Sequence, residues 1–261
     1  MGSIKVDKKN LLLKGIENGS FPEVLYKYRT VDQARKALEN FSFWFASPSS
    51  FNDPFDCSLS EKKSPDLNDV KKHLENLGQQ KGVIDIAIEL FKKDPSTVDG
   101  ILCRIKKVID SYGVFALSER FDNILMWSHY SDSHKGIVFG FELKSDLGFF
   151  VTPIKVDYRD QYDELNYFKN PNKSAIDTIK IKSSQWEYEK EIRIYKSKFG
   201  LYEINKEAIK EVYFGINSSQ EDIYEIIGIF ESKGLHNVSF YKGEKKHGSF
   251  GIDFHIIKIN N

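Results

Sequence analysis

Apolar residues recur at every second position in some stretches of this chain and at every third or fourth in others, and the changes of period mark out its elements. Val24-Leu25-Tyr26-Lys27-Tyr28-Arg29 alternates as a strand does, because successive side chains of an extended backbone point to opposite faces. Thr30 stands where it can cap a helix over 32–39, and a second strand is expected over 41–46. Residues 47–54, Ser-Pro-Ser-Ser-Phe-Asn-Asp-Pro, then break the chain into a long turn. Proline removes donors there, while Ser, Asn and Asp bond their own backbone. Between about 60 and 111 the period lengthens, and 70–77, 83–91 and 98–109 read as helices of an insertion. Strand character returns at 112–118, a short helix is expected over 123–130, and 136–141 is a strong strand. The two glycines in that last strand mark a bulge or a close approach of other backbone. Further strands are expected over 151–158, 192–195, 208–214, 238–241 and 254–259, with an amphipathic helix over 220–234. Residues 1–22 read as an arm or short helix ended by Asn18-Gly19-Ser20 and Pro22. The sum is one α+β domain over 23–261, with a mostly antiparallel central sheet and a helical insertion.

Composition narrows the class. The 261 residues carry 38 basic and 38 acidic side chains, a balance that argues against a bulk electrostatic nucleic-acid binder. With 20 Phe and 13 Tyr the interior is expected to be unusually aromatic. Cys57 and Cys103 are too few for a disulfide framework and form no Cys-x-x-Cys pair, which fits a reduced, cytoplasmic location. No secretory leader or membrane-spanning stretch is legible, so no membrane partner is expected. The histidines and cysteines lack zinc-ligand spacing, and no glycine-rich phosphate loop follows a strand. No metal is expected, and an ATPase or a Rossmann dehydrogenase is disfavoured.

Four stretches could carry chemistry. Residues 186–193, Trp-Glu-Tyr-Glu-Lys-Glu-Ile-Arg, would in extended form set Glu187, Glu189, Glu191 and Arg193 on one face. Like charges so placed repel and push one carboxyl pKa upward, as active sites often require. The alternative is a solvated edge strand in which Arg193 neutralises its neighbours. Arg29, after Tyr26 and Tyr28, suits a phosphate or carboxylate, or simply ends a surface strand. Ser47, Ser49 and Asn52 lie between large aromatics, where they can bond the edges of a stacked ring or form a turn pinned by Phe51 and Phe55. Met126-Trp127-Ser128-His129-Tyr130, with His134 beyond, offers His129 as a general acid or base, or as a structural histidine.

Taken together, Leu25 to Arg29, Phe45 to Asp56, Met126 to Tyr130 with His134-Lys135-Gly136, and Trp186 to Arg193 resemble the bacterial domain-of-unknown-function 2971 family over about residues 23–257. That family name implies no settled activity. The order of an Arg on the first strand, an aromatic-x-Ser segment on the second and a Glu-x-Glu before a later strand is similar, more distantly, to ADP-ribosyltransferases. This second resemblance implies a split central sheet and an enzyme that cleaves NAD and modifies a macromolecule, nucleic acid or protein, in a toxin or phage-defence setting with a cognate inhibitor. It assigns Glu191 and Glu189 to catalysis and Arg29 to the cofactor phosphates. Ser47 or Ser49 would brace the nicotinamide side, with Tyr28, Asn52, Trp127, His129, Tyr130 and Arg193 also in the cofactor site. Pro48, and Arg193 beside the carboxylates, depart from that pattern. A nucleotide- or protein-binding module without chemistry is the alternative, and a hydrolase built on His129 a third.

Overall fold

Residues 137–141 are buried without exception, the pattern of a strand with neighbours on both sides and both faces covered. They sit inside an eight-stranded sheet in the computed structural model, which describes residues 7–58, 66–94, 96–161, 166–169 and 171–259. In chain order the strands are β1 (Val24–Arg29), β2 (Ser42–Phe45), β3 (Gly113–Ser118), β4 (Ile137–Glu142), β5 (Pro153–Lys155), β6 (Asp157–Arg159), β7 (Ile181–Ser183), β8 (Glu191–Lys196), β9 (Gly200–Glu203), β10 (Ile209–Phe214), β11 (Ser239–Lys245) and β12 (Ile252–Ile256). The helices are α1 (Lys8–Glu17), α2 (Val31–Glu39), α3 (Leu67–Asn76), α4 (Lys81–Lys93), α5 (Thr97–Ser111), α6 (Ile124–Tyr130), α7 (Pro171–Lys180) and α8 (Gln220–Ser232).

The large sheet runs β12-β11-β10-β4-β1-β3-β8-β5. Within it only β10 and β11 pair in parallel, so the expected α+β fold with a mostly antiparallel sheet is what the chain adopts. Strands β2 and β9 form a separate ribbon, as do β6 and β7. Three helices, α3 to α5, fill the expected insertion, whose residues 60–65 and 95 lie outside the described ones. Among the described residues no helix is long and apolar enough to cross a membrane.

The sheet is joined tightly on each side of one seam. β1 pairs with β4 at all six of its residues, Val24↔Glu142 to Arg29↔Ile137. β3 pairs with β8 at all six of its own, Gly113↔Lys196 to Ser118↔Glu191. Between β1 and β3, however, the register holds only at Tyr26↔Ser118, and the strands splay apart beyond it. The Lys27 ammonium enters this gap and donates to the Ala116 carbonyl, lying 4.8 Å from the centre of the Phe115 ring.

Packing holds both halves. One face of the sheet buries a phenylalanine-rich core beneath α1, α2 and α8, with Phe43, Phe115, Phe139 and Phe141 in mutual ring contact. Stacked and edge-on rings suit such contacts because the ring faces are negative and the edges positive. The other face packs Tyr28, Val138 and Tyr213 against Met126 and Trp127 of α6. A Thr30–Gln33 capping box starts α2, satisfying two of the amides that a helix N-terminus leaves free. The two readings of these glycines divide between them: Gly136 is closely approached by the backbone of Arg29 and Ser131, and Gly140 lies at the bulge. The ladder opposite it slips between Ile209 and Glu211, and a side chain at Gly140 would meet Glu211 and Tyr26.

The expected strand over 151–158 is two strands in different sheets, β5 and β6. The chain enters β5 through Thr152 at φ +60, and the Val156 amide donates to the Glu191 carbonyl, so alternation alone could not show the break. The N-terminal segment is more than an arm: α1 is capped by Asp7 and buries Leu12 and Ile16 in the main core.

Candidate functional site

Chain geometry around Lys190 creates the site. Residues 184–189 are a 3-10 helix rather than a strand, Lys190 takes left-handed dihedrals of φ 45 and ψ 54, and β8 begins only at Glu191. The four charges of 186–193 therefore do not share one strand face. Glu187 turns outward to Lys190, at 2.8 Å. Glu189 and Glu191 meet because the turn folds one carboxylate back beside the other, and the Lys182 ammonium of β7 bridges them. Two anchors hold the turn: the Ser118 hydroxyl donates to the Glu189 carbonyl at 2.6 Å, and the Asn123 side-chain amide to that of Tyr188 at 3.1 Å.

Around this pair lies a buried ionic network. The Arg193 guanidinium, fully buried, donates to both oxygens of Glu191 at 2.7 and 3.0 Å. It also grips both oxygens of Asp56 at 2.9 and 2.6 Å and the Ile179 carbonyl at 2.6 Å. Lys182 contacts Glu189, Glu191 and Asp56. The Tyr130 hydroxyl donates to Glu189 at 2.6 Å, and the Glu191 amide to the Tyr158 hydroxyl at 2.8 Å. Three carboxylates thus face two cations away from water, where paired and hydrogen-bonded charges are tolerated and lone ones are not.

The two glutamates are not equivalent. Burial would raise the Glu191 carboxyl, but Arg193 and Lys182 overcome it and hold the group at about 2 instead of the ordinary 4.5. Glu189 goes the other way, because burial and the Glu191 charge outweigh Lys182. Each oxygen of Glu189 accepts one of the bonds above, from Tyr130 and from Lys182, which leaves each a lone pair for a further donor. A group whose folded pKa lies below its unfolded one contributes stability above the unfolded value and loses it as pH falls through the folded one. Resistance to urea is therefore expected to fall between about pH 4.5 and pH 2 on account of Glu191, and Glu191→Gln should flatten that limb. Equal slopes in wild type and variant would reject the assignment. The Glu189 contribution has the opposite sign and gains as pH falls through its folded pKa.

This network forms one wall of a cleft of about 470 Å³ at the β1–β3 seam, into which Glu189, Glu191, Asp56 and Lys182 all face. The other wall is the end of β1, with Lys27, Tyr28 and Arg29. Gly136 lies against that end, and a methyl group there would overlap the Arg29 carbonyl. Among the described residues Arg29 has no ion-pair partner, and its one hydrogen bond, to the Tyr28 carbonyl, is long at 3.4 Å. Burial pulls its pKa down to about 10, so it is still a cation at neutral pH. For Lys27, burial and then the Arg29 charge pull the pKa well below its ordinary value, against the pull of Glu191 and Glu189.

Of the residues singled out in the sequence, Arg29, Tyr28, Asn52, His129, Tyr130, Glu189 and Glu191 line this one cleft. Ser47 and Ser49 do not. The Ser47 hydroxyl donates to the Asp110 carbonyl at 2.6 Å and lies 2.8 Å from that of Ser49, which makes the turn reading of this loop the better one. Trp127 is buried behind the cleft, donating to the Phe121 carbonyl and packing edge-on against Tyr28 at 5.5 Å. Arg193 lies outside the cleft lining and bonds Glu191, which is part of it. Lys27, Asp56 and Lys182 were not singled out. Lys182 carries no signal beyond its place in an Ile-Lys-Ile-Lys run at 179–182. Among the described residues no three His, Cys, Asp or Glu side chains are grouped to hold a metal ion.

Residues 126–194 match the family described as Protein of unknown function (DUF2971). That stretch holds Tyr130, Lys182, Glu189, Glu191 and Arg193 and stops short of Arg29 and Asn52. No curated protein and no solved structure matches the chain.

Proposed function

We propose that the seam cleft binds NAD and splits its glycosidic bond, passing ADP-ribose to an acceptor. The observation that carries this reading is the Arg29 guanidinium, without an ion-pair partner among the described residues, which shares one cleft with the Glu189–Glu191–Lys182 cluster. A partly desolvated guanidinium without a carboxylate is suited to a phosphate group, which it can hold through two parallel bonds. In the reaction the bond from the ribose anomeric carbon to the nicotinamide nitrogen breaks and its electron pair leaves with nicotinamide. The acceptor nucleophile then bonds that carbon and its proton is released to solvent, so that the products are the ADP-ribosylated acceptor, nicotinamide and one proton. Positive charge develops on the sugar, and a fixed carboxylate in a water-poor site stabilises it. Glu189 is the group for that role, since Glu191 already has both oxygens on Arg193. Glu191 positions Lys182 and, through it, Glu189.

That same saturation of Glu191 favours a second reading, a nucleotide-binding module without chemistry. Nicotinamide release separates the two. Purified protein given NAD should liberate nicotinamide and label a macromolecule in cell extract. Arg29→Ala should weaken NAD binding on the order of 10- to 100-fold, the loss of one or two charge-assisted bonds. Binding without nicotinamide release would leave the binding module and remove the enzyme.

A further inference from the structure

Lys27 and the Arg29 cation stand at the junction of two cavities. Beyond the seam cleft a second hollow of about 610 Å³ runs between α2 and the β2–β9 ribbon, and Lys27, Arg29, Gln33, Phe51 and Ala116 line both. Its far wall carries Trp44, which is 49% exposed although Phe43 and Phe45 on either side are buried. The Trp44 indole is braced from one side, opposite Leu201 in the β2–β9 ladder and 6.3 Å from the Phe199 ring. Gln33, Asn40 and Ser42 supply side-chain amides and a hydroxyl to the same hollow. A braced, half-open indole beside short polar groups is suited to a planar heterocycle, stacked on its face and bonded at its edges.

A ligand that fills both hollows is suited to carry its negative charge in the middle, at Arg29, and a ring-bearing group at each end. A mononucleotide would leave one hollow empty. We propose that the hollow at Trp44 is a base-stacking subsite and that the ligand is a dinucleotide. Its pyrophosphate lies at Arg29, one nucleoside lies beside Glu189, and the base of the other stacks on Trp44. This rests on the reading of the seam cleft as an NAD site and adds where the second nucleoside binds and why a mononucleotide is a poorer ligand.

The test is calorimetric titration of the full chain with NAD, ADP-ribose and nicotinamide mononucleotide, comparing wild type with Trp44→Ala and Trp44→Phe. Trp44 is exposed, so an unchanged melting temperature for the unliganded variants verifies that the fold is intact. The Trp44→Ala variant is expected to bind NAD and ADP-ribose at least about tenfold more weakly, the order of one lost base stack. Its affinity for nicotinamide mononucleotide should stay as in wild type, and Trp44→Phe should recover most of the loss. Equal weakening of all three ligands, or no weakening, overturns the subsite while NAD cleavage by the wild type keeps the proposed function. Trp44-dependent dinucleotide binding without nicotinamide release keeps the subsite and removes the enzyme. If no dinucleotide binds, both fall.

Discussion

Replacing Arg193 with alanine is expected to destabilise the protein by about 3–5 kcal/mol, the cost of breaking a buried ion network at one member. The guanidinium is fully buried and bonds both oxygens of Asp56, both of Glu191 and the Ile179 carbonyl. Its loss leaves Asp56 only the longer ion pair to Lys182, at 3.6 Å. The cavity of a missing large side chain adds to the cost. Arg193→Lys should recover little, because an ammonium cannot present the planar fork that two carboxylates share here. Replacing Arg193 together with the two carboxylates it grips, as Arg193→Met, Asp56→Leu and Glu191→Met, leaves the Lys182–Glu189 pair and should recover most of the stability, as buried ion networks are worth little over a well-packed apolar core. Urea unfolding at neutral pH measures all three. A loss below about 1 kcal/mol in Arg193→Ala would show that the network does not hold β8 against the loop carrying Asp56.

The second large effect falls on rate. Glu189→Gln is expected to slow nicotinamide release on the order of 10²- to 10³-fold, the usual cost of removing one electrostatic stabiliser of a transition state. Its stability should hold or rise slightly, because burial already disfavours the ionised Glu189 and the amide removes that penalty. Glu191→Gln should behave differently, losing stability along with rate, because its charge pairs with Arg193 and Lys182. Single-turnover assays paired with thermal unfolding of both variants read the contrast. A Glu189→Gln protein that keeps wild-type turnover would remove that carboxylate from the chemistry.

Much of the fold was legible because its central strands β3 and β4 are apolar runs buried on both faces and β1 alternates in sequence. Val24–Arg29, Gly113–Ser118 and Ile137–Glu142 stand within a residue or two of their expected bounds, and α2 begins at its Thr30 cap. Local patterning failed where tertiary contacts decide conformation. The strand expected over 192–195 lies within β8, but the shared face that alternating charge suggests for 186–193 does not form, because Lys190 takes a left-handed conformation that no alternation encodes. Helix α7 and the short strands β7 and β9 gave too few repeats to read. At the site, Arg29 and the two glutamates could be found because charged residues at strand ends are conspicuous. Asp56 and Lys182 could not, because what makes them partners is the meeting of a loop, β7 and β8, which are far apart in sequence. Ser47 misled for the same reason: a hydroxyl that bonds the end of α5 looks, in sequence, like one that faces a ligand.

The single-register contact at Tyr26↔Ser118 has a mechanical consequence. Each half of the sheet is zipped to its own neighbours, so a pulling force across β1 and β3 meets one short weld where the other junctions offer a full ladder. A molecule lodged between Arg29 and Glu189 would bridge that weld as a cross-brace, and the sheet would stiffen as the cleft fills. The backbone amides of Lys27 to Arg29 face β4 or the gap, so deuterium uptake there would serve as a strain gauge for occupancy, slowing in proportion to bound ligand.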